Sequence, residues 1–308
     1  MSEPIGILAP AYVLGEEELS VDALPNRDSV LRRYNMPDDP ALWGWQCYRS
    51  TRRSRAEFAA ASASKTVSQS GLRAADIDAL IICCGDGLNY YAQNEFITEF
   101  AGALGVRSGF VTWAGGAGCA SLFSGVQIAR SLVCSGWCTN ALVTAVDKLD
   151  DDTERFQRFG VFSDGACSFI VRKAPTIDYT ILGVEVSFSL ASLTVAGQDL
   201  GQKCQLIYNV FERLMAHTGT PLDGSAFFGS NVFLPIQELE FSVMPVKDLI
   251  TYRGNTAHYG HCASADPFIN LIEFYQAPEH RSVNRALLTS TAHGHFGAML
   301  LEPYQQKA

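Results

Sequence analysis

Chemistry in this chain begins at Cys119. It lies within WAGGAGCASLFSGVQIARSLVCS, residues 113–135, where a run of small residues (114–118) leads into the cysteine. After it, Leu122, Phe123, Val126, Ile128, Ala129, Leu132 and Val133 recur at mixed spacing, apolar nearly all round, which is the pattern of a helix buried on most sides. Residues 109–113 read as the strand before it. A thiol is thus expected at a tight strand-to-helix turn, on the positive end of a central helix. Unpaired N–H groups and the helix dipole favour the thiolate there. The glycines let a substrate or another backbone approach closely. Free cysteines are commonly buried and inert, yet this placement points to a nucleophile.

Other candidates are weighed against plainer roles. His258, His261, His293 and His295 have no carboxylate at ligand spacing, and no pair of Cys-x-x-Cys repeats occurs, so no metal site is expected. Asp164, in a Ser-Asp-Gly turn, is expected to bond backbone N–H groups. Asp266, five residues after His261, could orient that ring, but a helix places i and i+5 poorly on one face, so a structural role is expected. His258 and His293 read as structural or exposed. Arg49, Arg52, Arg53 and Arg55 form the one dense basic patch, either a solvated helix start or a docking site for anions.

Composition narrows the class. The chain has 308 residues, 47% of them hydrophobic, enough for one large or two fused domains. A net charge of −9 argues against a nucleic-acid partner. Nine cysteines, an odd number with several inside apolar runs, suggest a reducing cytoplasm rather than a disulfide framework. The first ten residues lack a signal-peptide pattern, and no run of 18 apolar residues suggests a membrane span.

The elements that must position Cys119 follow from periodicity. Strands are expected at 6–14, 79–84, 109–113, 141–146, 166–171, 180–189, 231–234, 286–291 and 298–302. Helices are expected at 56–70, 95–104, after Cys119, at 203–217 and at 262–275, the last again largely buried. Residues 15–46 read as irregular, and 147–162 as a charged excursion. Strands alternating with helices imply a mainly parallel sheet covered on both faces. The grammar repeats, giving two pseudo-symmetric halves, 1–174 carrying Cys119 and 175–308 carrying His261, with their buried helices packed centrally.

Four motifs in order resemble the thiolase-fold condensing enzymes, in the β-ketoacyl carrier-protein synthase III branch. They are Gly118-Cys119-Ala120-Ser121 at the nucleophile turn and Phe162-Ser163-Asp164-Gly165-Ala166, similar to the family's Phe-Gly-Asp-Gly-Ala. The third is Gly260-His261-Cys262-Ala263-Ser264-Ala265, in place of Gly-Asn-Thr-Ser-Ala-Ala, and the fourth Gly294-His295-Phe296, like the C-terminal Gly-Gly-Phe loop. The resemblance covers nearly the whole chain and implies an α/β thiolase-like fold, with mixed sheets and central helices in αβαβα layers. It implies that Cys119 carries an acyl thioester. Its N–H and one from the Gly294–Phe296 loop would then form the oxyanion hole.

The chain also departs from that pattern. The family's His and Asn together bind the malonyl thioester oxygen. Here the His position, in Pro235-Ile236-Gln237-Glu238, is Ile236, and the Asn position is His261. Isoleucine cannot donate a hydrogen bond, and loss of one oxyanion donor typically costs about 10²–10³ in rate. A Cys119–His261 pair remains, with His295 as a further catalytic candidate. It suits acyl transfer to an amine, hydroxyl or thiol.

The resemblance also implies an acyl-CoA or acyl-phosphopantetheine carrier as donor, with no permanently bound cofactor. The relatives' tryptophan–arginine site for coenzyme A falls near Trp45 and Gln46, so the arginine is not cleanly kept. Trp45, Arg49, Arg52 and Arg53 are the candidate donor-binding residues, with an acyl carrier protein favoured. Leu88-Asn89-Tyr90-Tyr91 resembles the loop that shapes the acyl pocket across a dimer interface, so Asn89, Tyr90 and Tyr91 are pocket candidates, and a homodimer is implied. The readings are an acyltransferase of fatty acid, polyketide or secondary metabolism, a decarboxylative condensing enzyme, or a non-catalytic partner in a heterodimer. A thioester hydrolase is a lesser option.

Overall fold

The computed structural model describes residues 3–85, 89–193, 200–277, 280 and 283–304, with Tyr90 and Leu200 described by backbone alone. In the first half the strands are β1 (Ile5–Leu14), β2 (Glu17–Ser20), β3 (Cys47–Ser50), β4 (Ala79–Cys83), β5 (Phe110–Ala114), β6 (Asn140–Asp147), β7 (Phe156–Gln157), β8 (Gly160–Val161) and β9 (Gly165–Lys173). The second half adds β10 (Tyr179–Phe188), β11 (Ala226–Phe228), β12 (Ile250–Thr251), β13 (Ala286–Ala292) and β14 (His295–Pro303).

Ten of these strands form one sheet, in the order β12-β11-β13-β14-β10-β1-β9-β6-β4-β5. The strand order about the β1–β10 seam is the same on both sides. β4 pairs in parallel with β5 and β6, as β11 does with β12 and β13. β6 then runs antiparallel to β9, and β13 to β14. The sheet is mixed rather than mainly parallel. Parallel pairing needs a crossover connection, and β6 to β9 and β13 to β14 are joined without a covering helix.

Two helices lie between the halves of the sheet. Ser121–Cys134 buries Leu122, Phe123, Val126, Ala129 and Val133, and Asp266–Gln276 buries Phe268, Ile269, Leu271 and Phe274. Their side chains share one core with residues of both halves, including Val143 and Phe169 from the first and Leu288 and Met299 from the second. The outer faces carry separate cores. Helix Arg55–Ser70 packs Phe58, Ala59 and Ala63 on the first, and helix Leu200–Thr218 packs Ile207, Val210 and Phe211 on the second. Such layering puts both central helix N-termini in the middle of the molecule, where they face each other.

Three local expectations are corrected. Residues 231–234 form no strand: the chain leaves β11 at Phe228, and Leu234 opens helix Leu234–Ser242, with Pro235 in its first turn. Segment 15–46 is not irregular throughout, since β2 pairs with β3 and helices Arg27–Tyr34 and Pro40–Trp43 follow. Asn89 caps a longer helix, Tyr90–Leu104, by accepting from Ala92 N–H at 3.1 Å. No described helix is long and apolar enough to cross a membrane.

Candidate active site

The first central turn places the sulfur. Cys119 sits in a 3-10 turn, Gly118–Ala120, directly before helix Ser121–Cys134. Gly118 has φ +53°, and a Cβ there would come within 2.7 Å of Ala292 Cβ, so this turn can lie against the β13–β14 hairpin only with glycine. Ser290, on β13, donates its hydroxyl to the Cys119 carbonyl at 2.9 Å. Cys119 is half-buried. Burial pushes the thiols of Cys83, Cys167 and Cys262 well above the ordinary range, so these three stay protonated.

The second turn places the base. His261 bridges to Phe162 in extended conformation: its N–H donates to Val161 O at 2.7 Å, and its carbonyl accepts from Ser163 N–H at 2.9 Å. Gly260 has φ +62°, and a Cβ there would lie 2.7 Å from Ser163 Oγ and 2.8 Å from Val161 O. The backbone of the His261 strand can therefore approach the Phe162–Ser163 segment this closely only because residue 260 is glycine. The imidazole packs near Phe162 and Phe159, with ring centroids 5.1 and 6.1 Å away. The outcome is contact between the two turns: Cys119 Sγ lies 3.3 Å from His261 Nε2.

The other imidazole nitrogen is also taken. His261 Nδ1 lies 2.5 Å from Asp266 Oδ2, and both residues are buried. Asp266 accepts as well from Cys262 N–H at 2.7 Å and from the backbone and side chain of Asn231 at 2.7 and 3.2 Å. Here the structural role expected for Asp266 is corrected, because His261 is not on the helix. Ala263, with φ +47°, reverses the chain between them, and Asp266 opens the helix with its carboxylate turned back. A non-glycine residue in this left-handed region costs roughly 1–2 kcal/mol, here offset by the bonds it permits. Burial disfavours a charged His261, yet the Asp266 carboxylate and the Cys119 sulfur together hold it well above the ordinary histidine range.

Asp147 ties the second turn to the segment just past β4. It accepts from Gly85 N–H at 2.6 Å and from Ser264 N–H at 3.0 Å, and it bonds the Ser264 hydroxyl. Asp164 is a structural hub: it binds Arg155 through both oxygens at 2.8 and 3.1 Å and accepts from Thr51 and Leu149 N–H at 2.8 and 3.0 Å. Neither Arg155 nor the supporting Asn231 carries a sequence signal. Asn270 does, one helical turn after Asp266 and so on the same face.

The remaining candidates are placed as follows. His295 is half-buried at the start of β14, 6.2 Å from the Phe188 ring. Burial, and then His293, keep its pKa below the usual value. Among the described residues no hydrogen bond joins His295 to Cys119 or His261. Gly294 lies in the hairpin turn and accepts from Ser189 N–H at 2.9 Å, while the Phe296 ring enters the outer core beside Phe211. Ile236 is half-buried against an aromatic cluster that includes Trp43, Trp45 and Phe233.

Trp45 is buried in that cluster, 3% exposed. The basic patch faces an acidic strand: Arg49 pairs with Glu18, Arg52 with Glu17 and Arg53 with Glu16. Tyr91 is 77% exposed, while Leu88 and the Tyr90 side chain lie outside the described residues. No group of three or more His, Cys, Asp or Glu side chains among the described residues is arranged to hold a metal.

Comparison with known proteins agrees with the resemblance read from the four motifs. Residues 116–188 match the family model described as 3-oxoacyl-[acyl-carrier-protein] synthase III. No curated protein matches the chain. Among solved structures, an acyltransferase titled ChlB3 is 17% identical, covers 98% of both chains and superposes with a TM-score of 0.79. The 3-oxoacyl-[acyl-carrier-protein] synthase III of Aquifex aeolicus is 18% identical, with 97% of this chain and 99% of that one covered and a TM-score of 0.74. OleA of Xanthomonas campestris, solved with lauric acid and lauroyl-CoA, is 14% identical, with coverage of 98% and 100% and a TM-score of 0.77. The fold is thus that of the thiolase-like condensing enzymes.

Proposed function

We propose that the protein is an acyltransferase that carries its acyl group on Cys119. The observation behind this reading is the continuous unit Cys119–His261–Asp266, with contacts of 3.3 and 2.5 Å. A carboxylate behind an imidazole favours proton removal by its other nitrogen. In the first half-reaction Cys119 Sγ attacks the carbonyl carbon of an acyl thioester. The bond from that carbon to the donor sulfur breaks, and the departing thiol takes the proton held on His261. The product is acyl-Cys119.

In the second half-reaction an amine, hydroxyl or thiol loses its proton to His261 Nε2 as it attacks the acyl carbon. Cys119 leaves as thiolate, which the imidazolium stabilises. The Asp266 carboxylate fixes the ring through Nδ1. The Cys119 N–H, with one from the Gly294–Phe296 loop, would bind the developing oxyanion. The donor would be an acyl carrier protein or acyl-CoA. The Arg52–Glu17 and Arg53–Glu16 pairs at the basic patch are exposed, so they would exchange cheaply for a donor's phosphate or carboxylates, whereas Arg49 is partly buried over the Tyr259 ring. A cytoplasmic homodimer in fatty acid, polyketide or related secondary metabolism fits this role.

Decarboxylative condensation is the second reading, supported by the matched family and the fold. Ile236 weighs against it, because it removes a donor that the enolate oxygen would need. The two are separated by offering malonyl thioester with an acyl primer, and in parallel the acyl thioester with alcohol and amine acceptors. Acyl ester or amide formation, with carbon dioxide release no faster than in Cys119→Ala, is the expected result. Release of carbon dioxide coupled to a 3-oxoacyl product would replace acyl transfer with condensation.

A further inference from the structure

A chain of three buried asparagines ends on Asp266. Asn255 Nδ2 donates to Asn270 Oδ1 at 2.8 Å. Asn270 Nδ2 donates to Asn231 Oδ1 and to the Gly229 carbonyl, both at 3.0 Å. Asn231 donates to Asp266 twice, from its backbone N–H at 2.7 Å and from Nδ2 at 3.2 Å. Exposures of 4% for Asn231, 5% for Asn255 and 1% for Asn270 leave these amides little access to solvent, so their partners must come from the protein.

The orientation of each amide is decided by the next. Both Asn270 hydrogens are used, so its oxygen faces Asn255. That arrangement occupies the Asn231 oxygen and turns the Asn231 NH₂ toward Asp266. If the Asn231 amide turned over, its oxygen would face a carboxylate oxygen. Asn270 reaches the network from the helix that Asp266 opens, whereas Asn231 comes from the loop after β11, so two separate elements meet on one carboxylate.

We infer that Asn231, locked in orientation by Asn270, is a positioning residue that holds the Asp266 carboxylate against His261 Nδ1 and thereby sets the reactivity of Cys119. The inference rests on the Cys119–His261–Asp266 reading above. With Asn231 truncated, the backbone N–H of residue 231 still reaches Asp266 Oδ2, but Oδ1 keeps only Cys262 N–H, and the carboxylate is freer to rotate against the imidazole.

The test is the rate of iodoacetamide alkylation of Cys119 from pH 5.5 to 9. It is followed by intact mass on the full chain, with Cys119→Ala as the control for other thiols and a melting curve for each variant. The wild type is expected to react at a nearly constant rate through neutral pH. Asn231→Ala is expected to react about tenfold more slowly at pH 6, since one bond to a charged group is lost, and to recover at higher pH. Asn270→Ala, which frees the Asn231 amide to turn over, is expected to slow the reaction in the same direction by up to that factor. Asn270→Asp keeps the shape of the side chain but accepts where Asn270 donates. It should turn the Asn231 amide over and give the same slowing without a cavity.

Profiles that superimpose on the wild type, whether or not melting temperatures fall, would overturn the positioning role. Should the alanine variants not fold, Asn270→Asp decides alone. No acyl donor enters this experiment, so failure of the transfer reading, seen as absence of an acyl adduct, is scored separately.

Discussion

Asp266 Oδ2 lies 2.5 Å from His261 Nδ1 although they are five positions apart, a spacing that two positions on one helix would not bring together. The contact exists because His261 ends an extended segment, Ala263 turns the chain back at φ +47°, and Asp266 is the first residue of the helix. Asp266→Asn keeps the shape and removes the charge. Acyl transfer is expected to fall by about 10²–10⁴ in kcat, the range of a general-base contribution. Steady-state kinetics measure this, and an unchanged kcat would remove Asp266 from the site.

The same contact gives stability a pH dependence. His261 is held protonated above its ordinary value of about 6.5 despite burial, by Asp266 and Cys119. A raised folded-state value stabilises the fold fully below the unfolded value, and that contribution is lost as pH climbs through the folded value. Urea unfolding should therefore show stability declining from neutral into alkaline pH, with a smaller decline in Asp266→Asn. Identical slopes in the two proteins would contradict it.

Gly118 holds the nucleophile turn against the hairpin. Gly118→Ala forces a Cβ within 2.7 Å of Ala292 Cβ at a backbone φ of +53°. The turn must shift, and a displacement near 1 Å at a reacting group costs on the order of 10²-fold in rate. Ala292→Gly in the same chain removes the clash and should recover part of that loss, read as kcat for the single and double variants. No recovery would assign the loss to the backbone angle alone.

Arg155 and Asp164 form a buried bidentate pair, 1% and 0% exposed, that ties the 147–162 excursion to the segment around Thr51. Removing one partner leaves an uncompensated buried charge, at a cost of about 3–5 kcal/mol. Arg155→Met should lower the unfolding free energy by that amount in denaturant titrations. A loss below about 1 kcal/mol would show that the site admits water.

The parts of this molecule that were legible in the sequence are those written in local patterns. The buried run after Cys119 marks the central helix, and the repeated grammar anticipates the matching strand orders on either side of the β1–β10 seam. The two glycine-led turns identify Cys119 and His261. What was not legible depends on the path of the chain between elements. Helical spacing does not place Asp266, because a left-handed residue, Ala263, intervenes. Asn231 sits in a loop whose apolar residues, Val232 to Leu234, carry a strand-like pattern, and its role depends on Asn270, 39 residues away. The arginines at 49–53 read as a free basic patch because Glu16–Glu18 reach them only through the β2–β3 pairing.

Formation of a covalent acyl intermediate on Cys119 is tested most directly by intact mass after exposure to a panel of acyl thioesters. The expected result is a single added acyl group, mapped to Cys119, absent in Cys119→Ala and lost on addition of a competent acceptor. An unmodified mass with every thioester, or an adduct that persists in Cys119→Ala, would contradict it.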